Sequence, residues 1–295
     1  MLTGAGLISR ILGFFYRIFL SHTIGASGLG LYQLIFPVFT LCLAISASGI
    51  QTAISRYVAY QKSSRLYLGA GMFISVALSG ILGLLVYWLA PWIATDILKE
   101  VRTTELLQLM SFALVPSAIH ACFNGYYYGK KNSVPPAICQ IVEQIARVFG
   151  TYLIYRVLLQ EGRSLEPIHA VWGLVISELA GLLVNITTFL ILDYTRIPMV
   201  KIKKRITIIN ALLPPLKAIG TMAIPLTLNH VLMTLSHSLE HLLLPQQLIV
   251  YGYSSNEALS HFKIASSMEP NNFEYANAYN AMNNNANGGY RTSRK

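Results

Sequence analysis

The chain has 295 residues, of which 54% are hydrophobic and only 12% are charged, about half the charged share of a soluble domain. Its mean hydropathy is +0.52, which excludes an ordinary soluble globular protein. The formal net charge is +10; in a soluble protein this would indicate a nucleic-acid partner, but basic cytoplasmic loops of a membrane protein explain it better.

Long uncharged stretches separate short charged loops along the chain. No Asp, Glu, Lys or Arg lies between Arg17 and Arg56, or between Arg65 and Asp96, and a spanning helix needs about 20 mostly apolar residues. Seven apolar segments lie at about residues 2–20, 30–52, 67–94, 106–127, 134–159, 168–192 and 216–243. The sequence therefore predicts an all-α, polytopic helical membrane protein with about seven transmembrane helices.

The loops between these segments alternate in charge. The loops after the second, fourth and sixth segments are basic, as in Arg56, Lys62 and Arg65, whereas those after the third and fifth carry both signs. Basic loops favour the cytoplasmic side. We therefore expect a multi-pass protein of the cell membrane with its N-terminus in the cytoplasm and residue 244 onward outside.

The composition changes near residue 253, where the chain becomes polar and rich in asparagine. Ala258, Phe262 and Ala265 recur at helical spacing before Pro270, which predicts a short helical tail. We expect three parts: a transmembrane part at 1–252, a helical tail at 253–283 and a disordered C-terminus at 284–295.

Two arginines interrupt the first apolar segment, in ISRILGFFYRIFL. Arg10 and Arg17 are seven residues apart, which places them on one face of a helix. A charge at bilayer depth costs roughly 2.5–3.5 kcal/mol or more. The side chains could reach the two membrane interfaces; our preferred interpretation is a cationic cavity lining that binds an anionic head group, since guanidinium groups bind phosphate in a bidentate way.

The fifth segment carries a polar stripe within ICQIVEQIARVFGTY. Gln140, Glu143, Gln144 and Arg147 fall at helical spacing on one face, and Glu143 and Arg147 could pair along the helix. A buried structural pair is one interpretation; a cavity lining is the one we prefer. Glu178, alone in the sixth segment, could partner an arginine of another helix or, like Glu143, couple transport to an ion.

The sequence gives only weak indications of metal or enzyme chemistry. His237, Glu240 and His241 match the H-x-x-E-H pattern of some zinc peptidases, but no context for a third ligand follows. The cysteines Cys42, Cys122 and Cys139 lie in apolar segments without zinc-type spacing, and no phosphate-binding P-loop is present. We expect no metal, no cofactor and no enzymatic activity.

Several stretches together resemble a known family. GLISRILGFFYRIFLSHTIGASGLGLYQLIFPVFTLCLAISASGIQTAISRYVA, PPAICQIVEQIARV and AIPLTLNHVLMTLSHSLEHLLLPQQL resemble the stage V sporulation protein B family. That family belongs to the polysaccharide-flippase branch of the multidrug/oligosaccharidyl-lipid/polysaccharide exporter superfamily. The resemblance covers about residues 2–260. It implies two six-helix halves around a central cavity, alternating access, and movement of a lipid-linked, pyrophosphate-bearing saccharide.

The resemblance also implies roles for the first helix. Lipid II flippases, a sister branch, begin with a similar Ser-Arg-x-Leu-Gly-Phe stretch, here Ser9 to Phe14, and arginines of their first helix face the cavity and are implicated in substrate binding. Arg10 aligns with one of these arginines, whereas Arg17 falls one position away from the second.

Two departures from the family are visible. The family has 12 to 14 spanning helices, and about seven are predicted here. After residue 260, HFKIASSMEPNNFEY resembles a tetratricopeptide-like ending such as that of some J-domain cochaperones. We therefore expect a truncated or chimeric product: one half of an exporter fold that self-associates or pairs with a missing C-terminal half.

Three functional hypotheses remain open. The first is a flippase for a lipid-linked anionic oligosaccharide, peptidoglycan or polysaccharide precursor, serving the spore cortex or cell envelope and driven by sodium, protons or the membrane potential. The second is a multidrug or organic-cation antiporter of the same superfamily, in which cavity acids should outnumber bases. The third is a non-transporting membrane anchor or scaffold.

Overall fold

The computed structural model describes residues 2–60, 64–194 and 205–250. In the last helix it describes the backbone alone for residues 205–212 and 237–250. The predicted tail at 253–283, the predicted disordered end at 284–295 and the side chains of the H-x-x-E-H pattern lie outside this description.

The described residues form ten α-helices. These are α1 Leu2–Thr23, α2 Gly25–Leu34, α3 Phe36–Leu43, α4 Gly49–Tyr60, α5 Ser64–Trp92, α6 Thr104–Ser111, α7 Leu114–Gly129, α8 Val134–Gln160, α9 Pro167–Phe189 and α10 Arg205–Val250. Turns of π-helix follow at Ala44–Ser48, Ile93–Ile97 and Leu190–Tyr194, and a 3-10 turn at Val101–Thr103. The predicted all-α, polytopic class is confirmed.

Six helical stretches are long and apolar enough to cross a membrane: Leu2–Thr23, Gly25–Tyr60, Arg65–Ile97, Val134–Gln160, Pro167–Asp193 and Leu213–Ser236. The pair Val101–Ser111 and Leu114–Gly129, whose axes are bent by 49°, meets the same length and composition test when the two helices are taken together, as a broken span or a re-entrant loop. Pro116 explains this bend, because proline lacks an N–H group and its ring clashes with the carbonyl four residues earlier, here that of Phe112. The seven predicted segments therefore correspond to observed helices.

Two apolar clusters hold the bundle together, one towards each end. One joins the end of α1, α2, α3, the end of α5, α6, the start of α7, the end of α8 and the start of α9, around fully buried residues such as Leu20, Leu107 and Leu114. The other joins α4, the start of α5, the end of α7 and α10, around Ile54 and Tyr126. Because α7 contributes to both clusters, it is fixed along its whole length.

Glycines allow α7 to approach α4 closely. A Cβ atom added at Gly125 would clash with the backbone carbonyl of Gln51, and one added at Gly129 would meet the carbonyl of Ser55 and the side chain of Val58. Small residues at helix contacts are typical of membrane bundles. This contact fixes one face of α7 and leaves the opposite face to line a cavity.

Candidate functional site

A cavity of about 480 Å³ lies between α1, α7 and α8. Its wall is formed by Leu2, Gly6, His120, Asn124, Tyr128, Pro136, Gln140 and Glu143. It lies at the end of the bundle that holds the start of α1 and the end of α7. The wall therefore combines Leu2 and Gly6 of α1 with amide, imidazole, phenol and carboxyl groups of α7 and α8.

A polar stripe on α7 supplies three of the eight residues of this wall, His120, Asn124 and Tyr128. Ser117, His120, Asn124 and Tyr128 follow one another at three- or four-residue spacing, so they share one side of the helix. Sequence reasoning missed this stripe because each polar residue stands alone among apolar neighbours. The spacing within SAIHACFNGYYYG was the signal that could have found it.

Behind the cavity wall, a buried network joins α7, α8 and α9. Glu178 is only 6% exposed. Its Oε2 accepts a hydrogen bond from Ser117 at 2.8 Å, and its Oε1 lies 3.5 Å from Nη2 of Arg147. Arg147 also donates to Ser177 Oγ at 3.1 Å. Of the two interpretations of Glu178, partnership with an arginine of another helix is therefore observed, while a coupling role stays a prediction.

Glu143 contacts His120 of α7 as well as Cys139 of its own helix. Its Oε1 lies 3.1 Å from Nδ1 of His120, and the same imidazole nitrogen is 3.6 Å from Oε2 of Glu178. The expected pairing of Glu143 with Arg147 along α8 is not what the described residues show, since each charge has its partner on a neighbouring helix. Contacts of this kind between two helices offset the cost of burying a charge. A pair on the surface of one helix could offset that cost only in part.

The first helix packs along α8 on the side next to its arginines. Tyr16 is buried and its hydroxyl lies 3.0 Å from that of Thr151, Ser9 donates to the carbonyl of Gln140 at 3.5 Å, and Gly13 faces Gln144. These contacts place Gln144 at the interface of α1 and α8 and leave Gln140 on the cavity wall.

Arg10 and Arg17 are both exposed on α1, and neither belongs to the cavity wall. Both lie on the same side of the helix as Gly6, which does: Arg10 is about 40° and Arg17 about 20° around the helix axis from it. Of the residues predicted on α8, Gln140 and Glu143 lie on the cavity wall, and Arg147 faces α9. The binding roles of all six predicted lining residues stay predictions.

A second charged contact closes the end of the bundle near the cavity. Lys130 forms an ion pair with Asp193, Tyr126 donates to the same carboxylate oxygen at 3.3 Å, and Arg65 donates to the Asp193 carbonyl at 2.6 Å. Burial disfavours the charged ammonium of Lys130, but the hydrogen bond to Asp193 outweighs it and raises the pKa of Lys130. This contact connects α7, α9 and the start of α5.

The helical bundle has a fold known from solved structures. One described as the inward-facing conformation of a multidrug resistance MATE family transporter of the MOP superfamily superposes with a TM-score of 0.57 at 19% identity, covering 88% of this chain and 57% of the other. The model of the polysaccharide biosynthesis protein family matches residues 1–247. The chain belongs to that family.

Two curated relatives come from Bacillus subtilis (strain 168). Stage V sporulation protein B is 27% identical over 280 residues, covering 89% of this chain and 51% of the relative. Lipid II flippase MurJ is 30% identical over 202 residues, covering 62% of this chain and 37% of the relative. The chain thus spans about half, or less, of the length of these relatives.

Proposed function

We propose that this chain is a flippase-type transporter unit that moves a lipid-linked anionic saccharide, a peptidoglycan or polysaccharide precursor, across the cell membrane by alternating access. The observation that carries the proposal is a polar cavity between α1, α7 and α8, beside two exposed arginines of α1. We propose no chemical step on the saccharide, and hence no enzyme.

The cavity wall suits a saccharide. Asn124 and Gln140 each offer an amide that both donates and accepts hydrogen bonds, and Tyr128 adds a phenol that does the same. Sugar hydroxyls have the same double character, so each contact can form in either direction. Polar groups of this kind, placed on a concave wall, fix the orientation of a bound ligand.

The arginines of α1 suit the phosphate-bearing end of such a lipid. Arg10 and Arg17 are exposed on the Gly6 side of the helix, about 6 Å and about 16 Å along its axis from Gly6, and guanidinium groups bind phosphate with two parallel hydrogen bonds. The printed name of one relative, Lipid II flippase MurJ, agrees with a lipid-linked substrate. A membrane anchor without transport activity would need neither the polar cavity wall nor the exposed arginines of α1.

The charges disfavour the organic-cation alternative. Glu178 has Arg147 as an ion partner, and Glu143 has His120 beside it, so the acids near the cavity have cationic or protonatable partners. Of the two predicted coupling residues, Glu143 lines the cavity. We propose it as the group that exchanges a proton or binds sodium during transport.

We further propose that the N-terminus is cytoplasmic, because the basic loops follow the second, fourth and sixth spans. The cavity then lies at the cytoplasmic end of the bundle. Since the relatives are about twice as long, we propose that a second copy, or a separate chain equivalent to the remaining half, completes the transport path.

Proteoliposomes test this proposal. Vesicles with rising protein-to-lipid ratios receive a fluorescent, polyprenyl-type lipid pyrophosphate saccharide, and a membrane-impermeant quencher reports its movement between leaflets. We expect faster movement than in protein-free vesicles. Replacing Arg10 and Arg17 by glutamine should slow it about 10–100-fold, since a hydrogen bond to a charged group contributes about 1.5–3 kcal/mol.

The matched control is Arg156→Gln, which removes an exposed arginine whose partner is Tyr152 on its own helix. It should leave the rate unchanged. No acceleration at any protein-to-lipid ratio would contradict the proposed transport, and equal losses in both sets of arginine variants would contradict the role of α1.

A further inference from the structure

We propose that His120, Cys139 and Glu143 form a binding site for a divalent transition-metal ion, best suited to Zn²⁺. The inference goes beyond the proposed transport and does not depend on it; while the ion is bound, Glu143 is occupied and does not exchange a proton or bind sodium. Spacing along the sequence gave no indication of this site, because one ligand comes from α7 and two come from α8. Packing of the two helices brings the three together.

The geometry fits a tetrahedral ion. The nitrogen, sulfur and oxygen atoms of the three side chains all lie within 4.8 Å of one another. Cys139 Sγ is 3.0 Å and His120 Nδ1 is 3.1 Å from Glu143 Oε1. A tetrahedral site with metal–ligand distances of about 2.0–2.3 Å has ligand atoms about 3.3–3.7 Å apart. The two separations from Glu143 are a few tenths of an ångström from this range, and the separation of Cys139 from His120, within 4.8 Å, closes by about 1 Å at most.

The donor set fits Zn²⁺ chemically. An imidazole nitrogen, a thiolate and a carboxylate are ligand types found in zinc sites, and the sulfur favours Zn²⁺ over Mg²⁺ or Ca²⁺, which prefer oxygen. A thiolate and a carboxylate together neutralise a doubly charged ion, which lowers the cost of holding it among apolar helices. Binding releases the thiol proton of Cys139 to water.

Polar atoms in and around the three side chains also support the binding of a metal ion. His120 Nδ1 is buried and has no partner at hydrogen-bonding geometry among the described residues. Asn185 donates to Cys139 Sγ at 3.1 Å, and its own amide oxygen has no partner among these residues. Such outer contacts orient a metal ligand and tune its basicity.

The cavity gives an ion a route to this site. His120 and Glu143 line its wall, whereas Cys139 is buried behind them. The three side chains occupy one side of the ion, and the fourth position faces the cavity, where a water molecule or a substrate oxygen can bind. A bound ion would tie α7 to α8 and hold this wall in one arrangement.

Cobalt substitution tests the proposal on the purified full chain with an affinity tag that contains no histidine. Co²⁺ bound through a thiolate gives a near-ultraviolet charge-transfer band. We expect one Co²⁺ per chain, displaced by Zn²⁺, and loss of the band in Cys139→Ser. His120→Gln and Glu143→Gln should weaken Zn²⁺ binding by at least the 10–100-fold typical of an outer-shell change.

The chain contains its own matched controls. Cys42 and Cys122 are also buried free thiols, and Cys42→Ser and Cys122→Ser should keep both the band and the affinity. Monodispersity and thermal unfolding of each variant show whether it is folded. Absence of the band in the unchanged chain, or its survival in folded Cys139→Ser, overturns the proposal; so does unchanged affinity in folded His120→Gln and Glu143→Gln.

Discussion

Replacement of Glu178 by leucine is expected to lower the free energy of unfolding by about 3–5 kcal/mol, as is typical when one partner of a buried ion pair is removed. Glu178 is 6% exposed and faces Arg147, His120 and Ser117. Leucine would leave the guanidinium of Arg147 without its carboxylate inside the bundle. Equilibrium unfolding in mixed detergent micelles measures the change.

The double variant Arg147→Met, Glu178→Leu is the informative control. Replacing both members of a buried pair by apolar residues is often close to neutral, so the double variant should recover most of the stability that either single change loses. Additive losses in the two single variants and their combination would show that the two residues do not act as a pair.

Replacement of Gly125 by alanine is expected to destabilise the bundle by about 1–3 kcal/mol, the usual cost of overpacking. A methyl group there would overlap the backbone carbonyl of Gln51, which cannot move aside as a side chain could. Helix α7 must then shift away from α4 and carries the cavity-lining residues His120 and Asn124 with it. Thermal unfolding in detergent measures the loss, and cavity-directed labelling measures the shift.

Gly80→Ala on α5 is the matched control, because a Cβ atom there meets no atom of the described residues within 4 Å. Alanine also favours helix over glycine by about 1 kcal/mol in soluble hosts, so this variant should keep or gain stability. If both substitutions had the same effect, the close contact between α4 and α7 would not explain the role of Gly125.

The helices were predictable from the sequence because each long uncharged stretch needs a spanning helix to satisfy its backbone in lipid. The bend before α7 was not predicted, although Pro116 was visible, because proline indicates a break without giving its angle. The predicted start of the second span at residue 30 is late. Helix α2 begins at Gly25. The glycine and serine residues at its start interrupt the apolar pattern, so the sequence does not indicate that the helix begins there.

The site was only partly predictable. Helical spacing placed Gln140 and Glu143 on one face, and both line the cavity. Spacing cannot tell which neighbouring helix meets that face. It therefore indicates Arg147 on α8 as a possible partner of Glu143 and gives no indication of His120 on α7. For the same reason, spacing does not indicate that Cys139 and His120 lie close together, since their closeness follows from packing alone.

Photo-crosslinking tests the central claim, that the cavity between α1, α7 and α8 binds a lipid-linked anionic saccharide. A photoreactive phenylalanine replaces Asn124 on the cavity wall or, as the control, Phe73, which is 65% exposed on α5. We expect a lipid pyrophosphate saccharide to label position 124 and to be displaced from it by unlabelled lipid of the same kind. At position 73 we expect labelling only at the background level of bulk lipid. Equal labelling at both positions, or labelling at 124 that unlabelled lipid does not displace, would contradict it.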